Sequence, residues 1–491
     1  MNRLRPIPGR LWRRLRRTPP VLAALVVIAL AHGVAWTAIT PPLQGPDETT
    51  HIAYVQSLVE AGEGPQVNGG TGQYSRELEI LGEGLYVLPI TQHFEGRPAW
   101  HLVDEVEARL DREGEAARTE ATGPNAAAGN PPLYYLYAAA VWELTPDRSL
   151  LGRLTSVRLA TVVPFAITVI LAWLIAAELF TVAWARPLVA GIVALNPKLA
   201  SIAGNVNPDA FLVMLSSGVL LAALRVAQRG LSPPRVIALV ALASAAVLTH
   251  GRGYFLAPLA LIAVGIALLR ERPDRRRALV FGGAALAGIL VALYLGTSWT
   301  REHAAGAAFG GAAPSSGAFD LGEFLSYVWQ FYFPGFHFLD ESIAGGYGYN
   351  QMWIQNFFGG IVNLELNFRP EKYEAIKLGA FLGMMAVWTT AAIRWRTLRD
   401  RWPAVVICAA MFLGMVALLH LVSYTSLKNG TGPVITGRYL LVCIPLMGAA
   451  IAFVATSLPR VLGVILGGMA LGLAALHAIA MLGFGVERFV A

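Results

Sequence analysis

Long apolar segments recur along almost the whole chain, with short polar connections between them. Segments of about 18 or more mostly apolar residues can cross the ~30 Å hydrocarbon layer of a bilayer as helices. The pattern therefore predicts an all-α fold, a polytopic transmembrane helical bundle of about eleven spans. These spans lie near residues 21–40, 154–180, 187–203, 207–225, 235–250, 253–269, 278–299, 374–393, 403–424, 435–457 and 461–484. The spans near 235–250 and 253–269 could instead form one broken hairpin.

The connections divide the chain unevenly, and the two longest ones lie on the same side. We predict the following organisation: a cytoplasmic basic N-terminus (1–20), the first transmembrane helix (21–40), a first outer loop (41–152), transmembrane helices two to seven (153–299), a second large outer loop (300–372) and transmembrane helices eight to eleven (373–491). Long connections in a compact protein usually carry function. We therefore expect the functional groups in or beside these two loops.

Both loops contain segments that are typical of helices at a membrane surface. In the first loop, residues 47–61 have an amphipathic pattern, and residues 100–118 interleave acidic and basic side chains. In the second loop, residues 321–333 and 351–366 are rich in aromatic residues and carry few charges. Such segments tend to lie in the plane of the interface, so we predict interfacial helices in both outer loops.

Positive charge alternates between successive connections. One set of connections, together with the N-terminal segment, holds most of the arginines, among them Arg13, Arg186, Arg229, Arg275, Arg399 and Arg460. The opposite short connections hold only Lys198, Arg252, Lys428 and Arg438. Because cytoplasmic connections are enriched in Lys and Arg, this pattern places the N-terminus inside and the C-terminus outside the cytoplasmic (inner) membrane.

Composition agrees with a lipid-embedded chain. Of 491 residues, 55% are hydrophobic and 14% are charged, which is too apolar for an ordinary soluble domain. The net charge of +7 comes from arginines placed as topology determinants, so we expect the lipid bilayer and no nucleic acid as a partner. Cys408 and Cys443 both lie in apolar runs, which favours buried thiols over a disulfide.

The first outer loop opens with two adjacent carboxylates. Two prolines end the first span at the membrane surface, and Asp47, Glu48 and His51 follow directly. Asp47 and His51 are four residues apart and therefore share a helix face. Asp47 could simply cap the helix N-terminus. Alternatively, its position at the bilayer edge suits a base that takes a proton from an incoming hydroxyl.

Two further segments carry polar residues. Asn130, Pro132 and Tyr135 belong to a segment NPPLYY at the end of the first outer loop, a composition that is typical of interfacial anchoring. Asn207 and Asp209 belong to a tight turn NPD, which is also ordinary capping chemistry. Asp209 lies at the same membrane level as Asp47, which makes a cavity shared by these two residues a reasonable hypothesis.

Two arginines occupy outer turns, against the charge bias of that side. Arg252 lies in the turn HGRGY, and Arg438 lies next to Tyr439 at the start of the tenth span. Arg438 could extend to generic lipid headgroups. It could instead bind the phosphate of a lipid-linked substrate, because a guanidinium makes planar, multidentate contacts. Lys198 and Lys428 could assist.

Together, the segments PDETTH, NPPLYYL, NPDAF and GRYLL resemble motifs of the GT-C membrane glycosyltransferases. That clan includes the protein mannosyltransferases and the aminoarabinose transferase of lipid A, and the chain is most similar to its uncharacterised bacterial multi-pass branch. The resemblance implies a GT-C-like bundle with Asp47 as the catalytic base and Glu48 beside it. It also implies that Pro132 and Tyr135 shape the cavity and that Arg438 binds phosphate. The clan often has His or Lys where this chain has Asn130.

The resemblance implies transfer of a sugar from a polyprenyl-phosphate-linked donor to an acceptor hydroxyl at the outer face, with inversion at the anomeric carbon. The substrate-binding residues would be His51, Asn130, Pro132, Tyr135, Asn207, Asp209, Arg252, Arg438 and Tyr439. The acceptor could be a glycan, a lipid or a protein. A divalent metal could take part, with oxygen ligands from Asp47, Glu48 and Asp209.

Two other functions fit the same spans. One is a lipid or polysaccharide transporter or flippase, although the charged residues lie at one face and no inverted repeat is evident in the sequence. The other is a noncatalytic scaffold for envelope assembly. Replacing Asp47 distinguishes the transferase from these two functions, since only the enzyme should lose turnover.

Overall fold

The computed structural model describes residues 19–66, 74–87, 102–113, 121–122, 125–304, 319–336, 343, 348–430 and 432–490. These residues form twenty α-helices in chain order: α1 Pro20–Ile39, α2 Glu48–Gln56, α3 Arg76–Gly84, α4 Val103–Glu113, α5 Leu133–Leu144, α6 Leu150–Leu179, α7 Ala185–Ala194, α8 Pro197–Ala203, α9 Pro208–Arg229, α10 Pro233–Val247, α11 Leu256–Glu271, α12 Arg275–His303, α13 Leu321–Tyr332, α14 Asn356–Phe358, α15 Ile361–Leu364, α16 Pro370–Ile393, α17 Trp395–Asp400, α18 Trp402–Lys428, α19 Ile444–Ser457 and α20 Arg460–Phe489.

Short segments of other geometry complete the described backbone. Two-residue strands β1 (Tyr74–Ser75) and β2 (Ala121–Thr122) pair antiparallel, with Tyr74 opposite Thr122. Helix α2 continues as a π-helix over Ser57–Ala61, and a second π-helix covers Asn350–Gln355. Two 3₁₀ turns, Gly251–Phe255 and Gly437–Cys443, lead into α11 and α19. These two turns carry the outer arginines.

The helical segments agree with nine of the eleven predicted spans, and the predicted spans near 187–203 and 235–250 are occupied by shorter helices, so the count of about eleven is not confirmed. In the described part of the chain, nine helical segments are long and apolar enough to cross a membrane, and α7 and α10 are shorter apolar helices. The span predicted near 187–203 is wrong as a continuous helix, because it divides into α7 and α8. Asn196 caps α8 by accepting a hydrogen bond from the backbone N–H of Leu199, and Pro197 occupies the first turn. A proline inside a helix removes a hydrogen bond and clashes with the preceding turn, so the helix restarts there.

Helix α9 lies at the centre of the bundle. It packs against α6, α10, α11 and α18, and most of its side chains are buried. By contrast, α12, α16 and α20 expose many apolar side chains, among them Leu290, Phe381, Leu382 and Leu473. Such a surface is stable in lipid and unstable in water. The predicted all-α transmembrane bundle is confirmed.

The described part of the first outer loop packs around a small apolar core of its own. Leu78 and Leu81 of α3 pack with Tyr54 of α2, Trp142 of α5 and Leu154 of α6. The segment predicted as an amphipathic surface helix, 47–61, is therefore mostly buried over α2. Within the predicted surface helix 100–118, α4 is formed and mainly exposed, and the remaining positions lie outside the described residues. This core holds α2 against the bundle.

The arginine-rich connections meet at the opposite end of the bundle from the outer loops. There Arg225 and Arg229 bind Glu178 at the end of α6, at 2.8 and 2.6 Å. Arg401 donates to the carbonyl of Leu179, and Arg394 donates to the carbonyl of Ser457. Basic side chains therefore close the C-terminal ends of the helices at this face, where the helix dipole favours positive charge.

Candidate functional site

A polar cavity lies at the outer-loop end of the bundle, where six sequence-distant segments meet. Its volume is about 240 Å³. The polar residues that line it are Asp47, Thr50, His51, Asn130, Asn207, Asp209, His250, Arg252, Arg438 and Tyr439. One wall is apolar and comes mainly from Leu418, Leu419 and Val422 of α18. The cavity thus combines charged groups with an apolar side.

Asp47 is the most accessible carboxylate in the cavity. It precedes α2 with φ 57°, in the left-handed region that Asp adopts more readily than most residues. Its side chain makes no capping hydrogen bond. Instead, Oδ2 accepts a hydrogen bond from Nη2 of Arg438 at 2.6 Å, while 54% of the side chain stays exposed. The Arg438 guanidinium holds the pKa of the Asp47 carboxyl below its usual range, so Asp47 is ionised.

Glu48, the neighbour of Asp47, faces away from the cavity into a buried ion pair. Its oxygens accept hydrogen bonds from Nε and Nη2 of Arg158 at 2.7 and 2.5 Å. Oε1 also accepts from the backbone N–H of Val206 at 2.9 Å. Arg158 donates further to the carbonyls of Thr40 and Pro41, at the end of α1. This pair therefore ties the loop before α2 to α1, α6 and the turn before α9.

Gly45 and Asn207 hold the Asp47 loop against the turn that carries Asp209. A Cβ at Gly45 would lie 2.6 Å from the side chain of Asn205, so only glycine allows this close approach. Asn207 donates to the carbonyl of Pro46 at 2.8 Å, and its Oδ1 caps α9 by accepting from the N–H of Asp209. Asn207 thus joins two of the predicted motifs.

Asp209 lies between the two outer arginines. Its Oδ1 accepts a hydrogen bond from Nη2 of Arg252, and its Oδ2 is 3.6 Å from Nε of Arg438. Only 4% of this side chain is exposed. Tyr439 packs against both guanidiniums, at 3.9 Å from Arg252 and 5.2 Å from Arg438 to the ring centroid. The buried carboxylate and the ring therefore fix both cations beside Asp47.

Arg438 reaches the cavity because the preceding residue is glycine. A Cβ at Gly437 would lie 2.6 Å from the backbone N of Phe357 and 2.8 Å from the backbone O of Trp353. The 3₁₀ turn therefore packs directly on a segment of the second outer loop. Nε of Arg438 is buried and has no hydrogen-bond partner among the described residues. It is 3.6 Å from Oδ2 of Asp209, an ion pair without a hydrogen bond.

His51 of α2 lines the same cavity as Asp47, although Asp47 precedes the helix and the two do not share a helix face. Its Nδ1 lies 2.9 Å from the hydroxyl of Tyr135, which also accepts a hydrogen bond from Nδ2 of Asn130 at 3.1 Å. Burial lowers the pKa of His51 to about 4, so the imidazole is neutral at physiological pH. Tyr135 is fully buried behind His51. Pro132 does not line this cavity and borders a separate groove with Trp299 and His303.

A sequence-family model matches most of the chain, including the residues of the cavity. Residues 30–447 match the family described as Predicted membrane protein (DUF2142). The chain belongs to this family. The match includes Asp47, Asn130, Asp209 and Arg438, so all four motifs of the cavity lie within the family region. The predicted resemblance to a branch of multi-pass membrane proteins is confirmed.

The chain also aligns with solved structures at TM-scores below 0.5. The chain aligns with the Archaeoglobus fulgidus oligosaccharyltransferase in its apo form at 12% identity and a TM-score of 0.48, over 95% of this chain and 56% of that one. It aligns with ArnT from Cupriavidus metallidurans bound to undecaprenyl phosphate at 15% identity and a TM-score of 0.46, over 95% and 76%. The family member thus spans little more than half of the oligosaccharyltransferase chain. No curated protein sequence matches it significantly.

Of the three carboxylates that could bind a metal in this DUF2142 member, Asp47 and Asp209 line the cavity and Glu48 faces away from it. Both oxygens of Glu48 are bound by Arg158, and Asp209 is paired with Arg252. Within the described ranges, no group of three or more His, Cys, Asp or Glu side chains could hold a metal ion. The described residues therefore do not fit a divalent cation, and we derive no step through one.

The two lysines that could have assisted phosphate binding lie outside the cavity, whereas the two cysteines are free thiols as predicted. Lys198 donates to the carbonyl of Gly360, Lys428 pairs with Glu323, and neither lines the cavity. Cys408 and Cys443 are free thiols. Sequence reasoning missed Arg158, although an arginine inside a long apolar helix is expensive in a bilayer and signals a buried partner.

Proposed function

We propose that this protein is a membrane glycosyltransferase that takes its sugar from a polyprenyl-phosphate-linked donor. The observation that carries the proposal is the contact between Asp47 and Arg438 in a cavity with an apolar side. A base and a phosphate-binding cation are the two groups that such a transfer needs at one place. The resemblance of the PDETTH and GRYLL segments to the GT-C clan supports the same reaction.

In the proposed reaction, Asp47 is the catalytic base. Among the described residues, its Oδ1 accepts no hydrogen bond. It therefore remains available to the acceptor hydroxyl while Oδ2 accepts from Arg438. The hydroxyl proton moves to Asp47, and the acceptor oxygen bonds to the anomeric carbon from the face opposite the phosphate. The bond between that carbon and the phosphate oxygen breaks, and the lipid phosphate leaves with the electron pair. The configuration is therefore inverted.

Arg438 and Arg252 neutralise the charge that develops on the leaving phosphate. Both guanidiniums are held by Asp209 and Tyr439 before substrate arrives, so little reorganisation is needed during the reaction. Glu48 acts only through Asp47. Its carboxylate is enclosed by Arg158, and this pair shapes the loop that carries Asp47. We therefore assign Glu48 a positioning role rather than the catalytic one expected from its sequence position.

The donor lipid would approach along the apolar wall formed by α18, with its phosphate at the arginines. The arginine-rich end of the bundle would face the cytoplasm, which leaves the cavity at the outer face of the inner membrane. Acceptors at that face include glycans, lipids and proteins. A cavity of about 240 Å³ suits one hydroxyl and one phosphate, with the remainder of each substrate outside.

The test is transfer by the full chain in liposomes, with a panel of polyprenyl-phosphate sugars and mixed glycan, lipid and peptide acceptors. We expect one donor to give a product whose mass equals acceptor plus sugar minus water. Mass spectrometry identifies the sugar and the acceptor together. The proposal fails if no donor is consumed while the protein moves a labelled lipid between leaflets without acceptor, since that result identifies a flippase.

A further inference from the structure

A hydrogen-bonded chain of three side chains, of which Tyr135 and His51 are buried, ends at a ring nitrogen of His51. The chain runs from Asn130 through Tyr135 to His51 and ends in the cavity that Asp47 lines. Which nitrogen of a neutral histidine is protonated depends on the hydrogen bond that the other nitrogen makes. The direction of each bond in this chain therefore matters for what His51 presents to a substrate.

The Tyr135 hydroxyl has one proton to donate and one acceptor within reach among the described residues. Burial holds the pKa of its hydroxyl well above the usual range, so the proton stays on the oxygen. Nδ2 of Asn130 donates to that oxygen at 3.1 Å, and an amide N–H cannot accept a hydrogen bond in return. Among the described residues, the remaining partner within reach is Nδ1 of His51, at 2.9 Å. Tyr135 therefore donates to Nδ1.

The ring of Tyr135 cannot turn to another acceptor. It stacks on Tyr54 with a centroid distance of 3.6 Å, and the Tyr54 hydroxyl donates to the backbone carbonyl of Asn130 at 3.0 Å. Both tyrosines are fully buried. Since a neutral imidazole has one N–H, an accepting Nδ1 leaves the proton on Nε2.

We propose that His51 is held as the Nε2–H tautomer and donates a hydrogen bond to an oxygen of the bound substrate. Its Nε2 has no recorded partner among the described residues, and His51 lines the cavity beside Asp47 and Asp209. A donor at this position binds a phosphate or hydroxyl oxygen. It cannot accept the proton of the acceptor, so His51 is a substrate-binding residue and Asp47 keeps the role of base. The identity of the oxygen rests on the proposed function, whereas the tautomer does not.

The tautomer is measured directly by ¹⁵N NMR of the histidine-labelled full chain in lipid nanodiscs. The His51→Gln variant, which lacks this signal, gives the assignment. We expect a protonated Nε2 and an unprotonated Nδ1 at pH 7.5. The Tyr135→Phe variant removes the donor to Nδ1, so we expect both tautomers there. A protonated Nδ1 in the natural chain overturns the proposal, because it means that Tyr135 accepts from His51.

Two probes test the bond to substrate and identify its source. A short-chain prenyl monophosphate supplies phosphate oxygens, and a methyl glycoside supplies hydroxyl oxygens. We expect one of them, at saturation, to shift the Nε2–H signal. If neither does so, the substrate-binding role is overturned. This measurement needs no transfer activity, so a protein with the expected tautomer and probe shift but no transferase product would refute the proposed function alone.

Side-chain replacements give an independent kinetic readout. The amide nitrogen of Gln reaches the Nε2 position, whereas that of Asn reaches Nδ1. We therefore expect His51→Asn to raise KM about tenfold, the effect of one lost hydrogen bond, and His51→Gln to raise it less. Equal KM values for both variants would contradict the proposal.

Discussion

At the residue scale, Asp47 and Asp209 show how surroundings divide one side-chain type between two roles. Both carboxylates contact Arg438, yet 54% of the Asp47 side chain is exposed and only 4% of Asp209. Asp209 is enclosed between Arg252 and Arg438, so it can orient cations but cannot meet a substrate. Asp47 remains accessible from the cavity. The difference in exposure therefore favours Asp47 over Asp209 for the proposed role of base.

His51 gives the protein a specific sensitivity to acid. Burial lowers its pKa from 6.5 to about 4, so the unfolded chain binds this proton at a higher pH than the folded chain. Stability should therefore fall as pH decreases from about 6.5 to about 4, by up to ~1.4 kcal/mol per pH unit. Asp47, whose pKa is also lowered, adds a loss only at lower pH.

Melting temperatures of the detergent-solubilised protein across this pH range check the effect. The His51→Gln variant should show a smaller decrease between pH 6.5 and 4, because the buried His250, whose pKa is also lowered by burial, remains, and it should keep the decrease at lower pH. Identical profiles for the natural chain and the variant would contradict a buried, neutral His51.

The sequence could predict which residues meet in the cavity but not how they pair. Pro41 and Pro42 end the first span, which placed Asp47 at the membrane surface, and the exception to the charge bias identified Arg252 and Arg438. The direct contact between Asp47 and Arg438 depends on the left-handed backbone of Asp47 and on the packing of Gly437. Both are tertiary effects with no local pattern in the chain.

At the scale of elements, the Glu48–Arg158 pair joins α1, α6 and the loop before α2. Both side chains are almost completely buried, at 0% and 3% exposed. Removing one charge of such a pair leaves the other buried without compensation, which costs about 3–5 kcal/mol. We therefore expect Glu48→Gln to lower the melting temperature strongly, with activity lost in proportion to folded protein.

The pair between Glu143 and Arg148 is a matched control on the surface. Its side chains are 57% and 56% exposed, and an exposed pair contributes about 0–1 kcal/mol. Glu143→Gln should therefore melt almost like the natural chain. Equal melting temperatures for the Glu48 and Glu143 variants would show that the buried pair does not hold the loop in place.

Helix existence was predictable and helix continuity was not. Apolar runs predicted the spans because each must satisfy its backbone hydrogen bonds inside lipid. The run near 187–203 contains Asn196 and Pro197, which together give a helix cap and a restart instead of one span. Hydropathy averaged over a window of about 18 residues does not reveal such a pair, because the apolar neighbours dominate the mean. The capping pattern Asn-Pro does indicate a break.

At the scale of the whole molecule, charge separates the two ends of the bundle. The arginine-rich connections meet at one end, and the cavity lies at the other. If the rule of positive charge inside applies, Ala61 faces the outside and Arg276 faces the cytoplasm, and both are exposed. A membrane-impermeant maleimide should label Ala61→Cys in intact cells and label Arg276→Cys only after permeabilisation.

The natural chain is the control for this labelling, because Cys443 is buried and Cys408 is partly buried. The opposite labelling pattern would place the cavity at the cytoplasmic face and would contradict sugar transfer at the outer face. The alternation of arginine along the chain made this orientation predictable. It did not predict that the first outer loop has an apolar core that presses α2 into the bundle.

The most direct measurement compares Asp47→Asn with the natural chain for donor binding and for a single turnover in the same preparation. The amide keeps the shape of the side chain but cannot take a proton, so we expect donor binding to be kept and the rate of transfer to fall by about 10²–10⁴-fold. An unchanged rate of transfer would contradict the central claim that Asp47 is the base of this site.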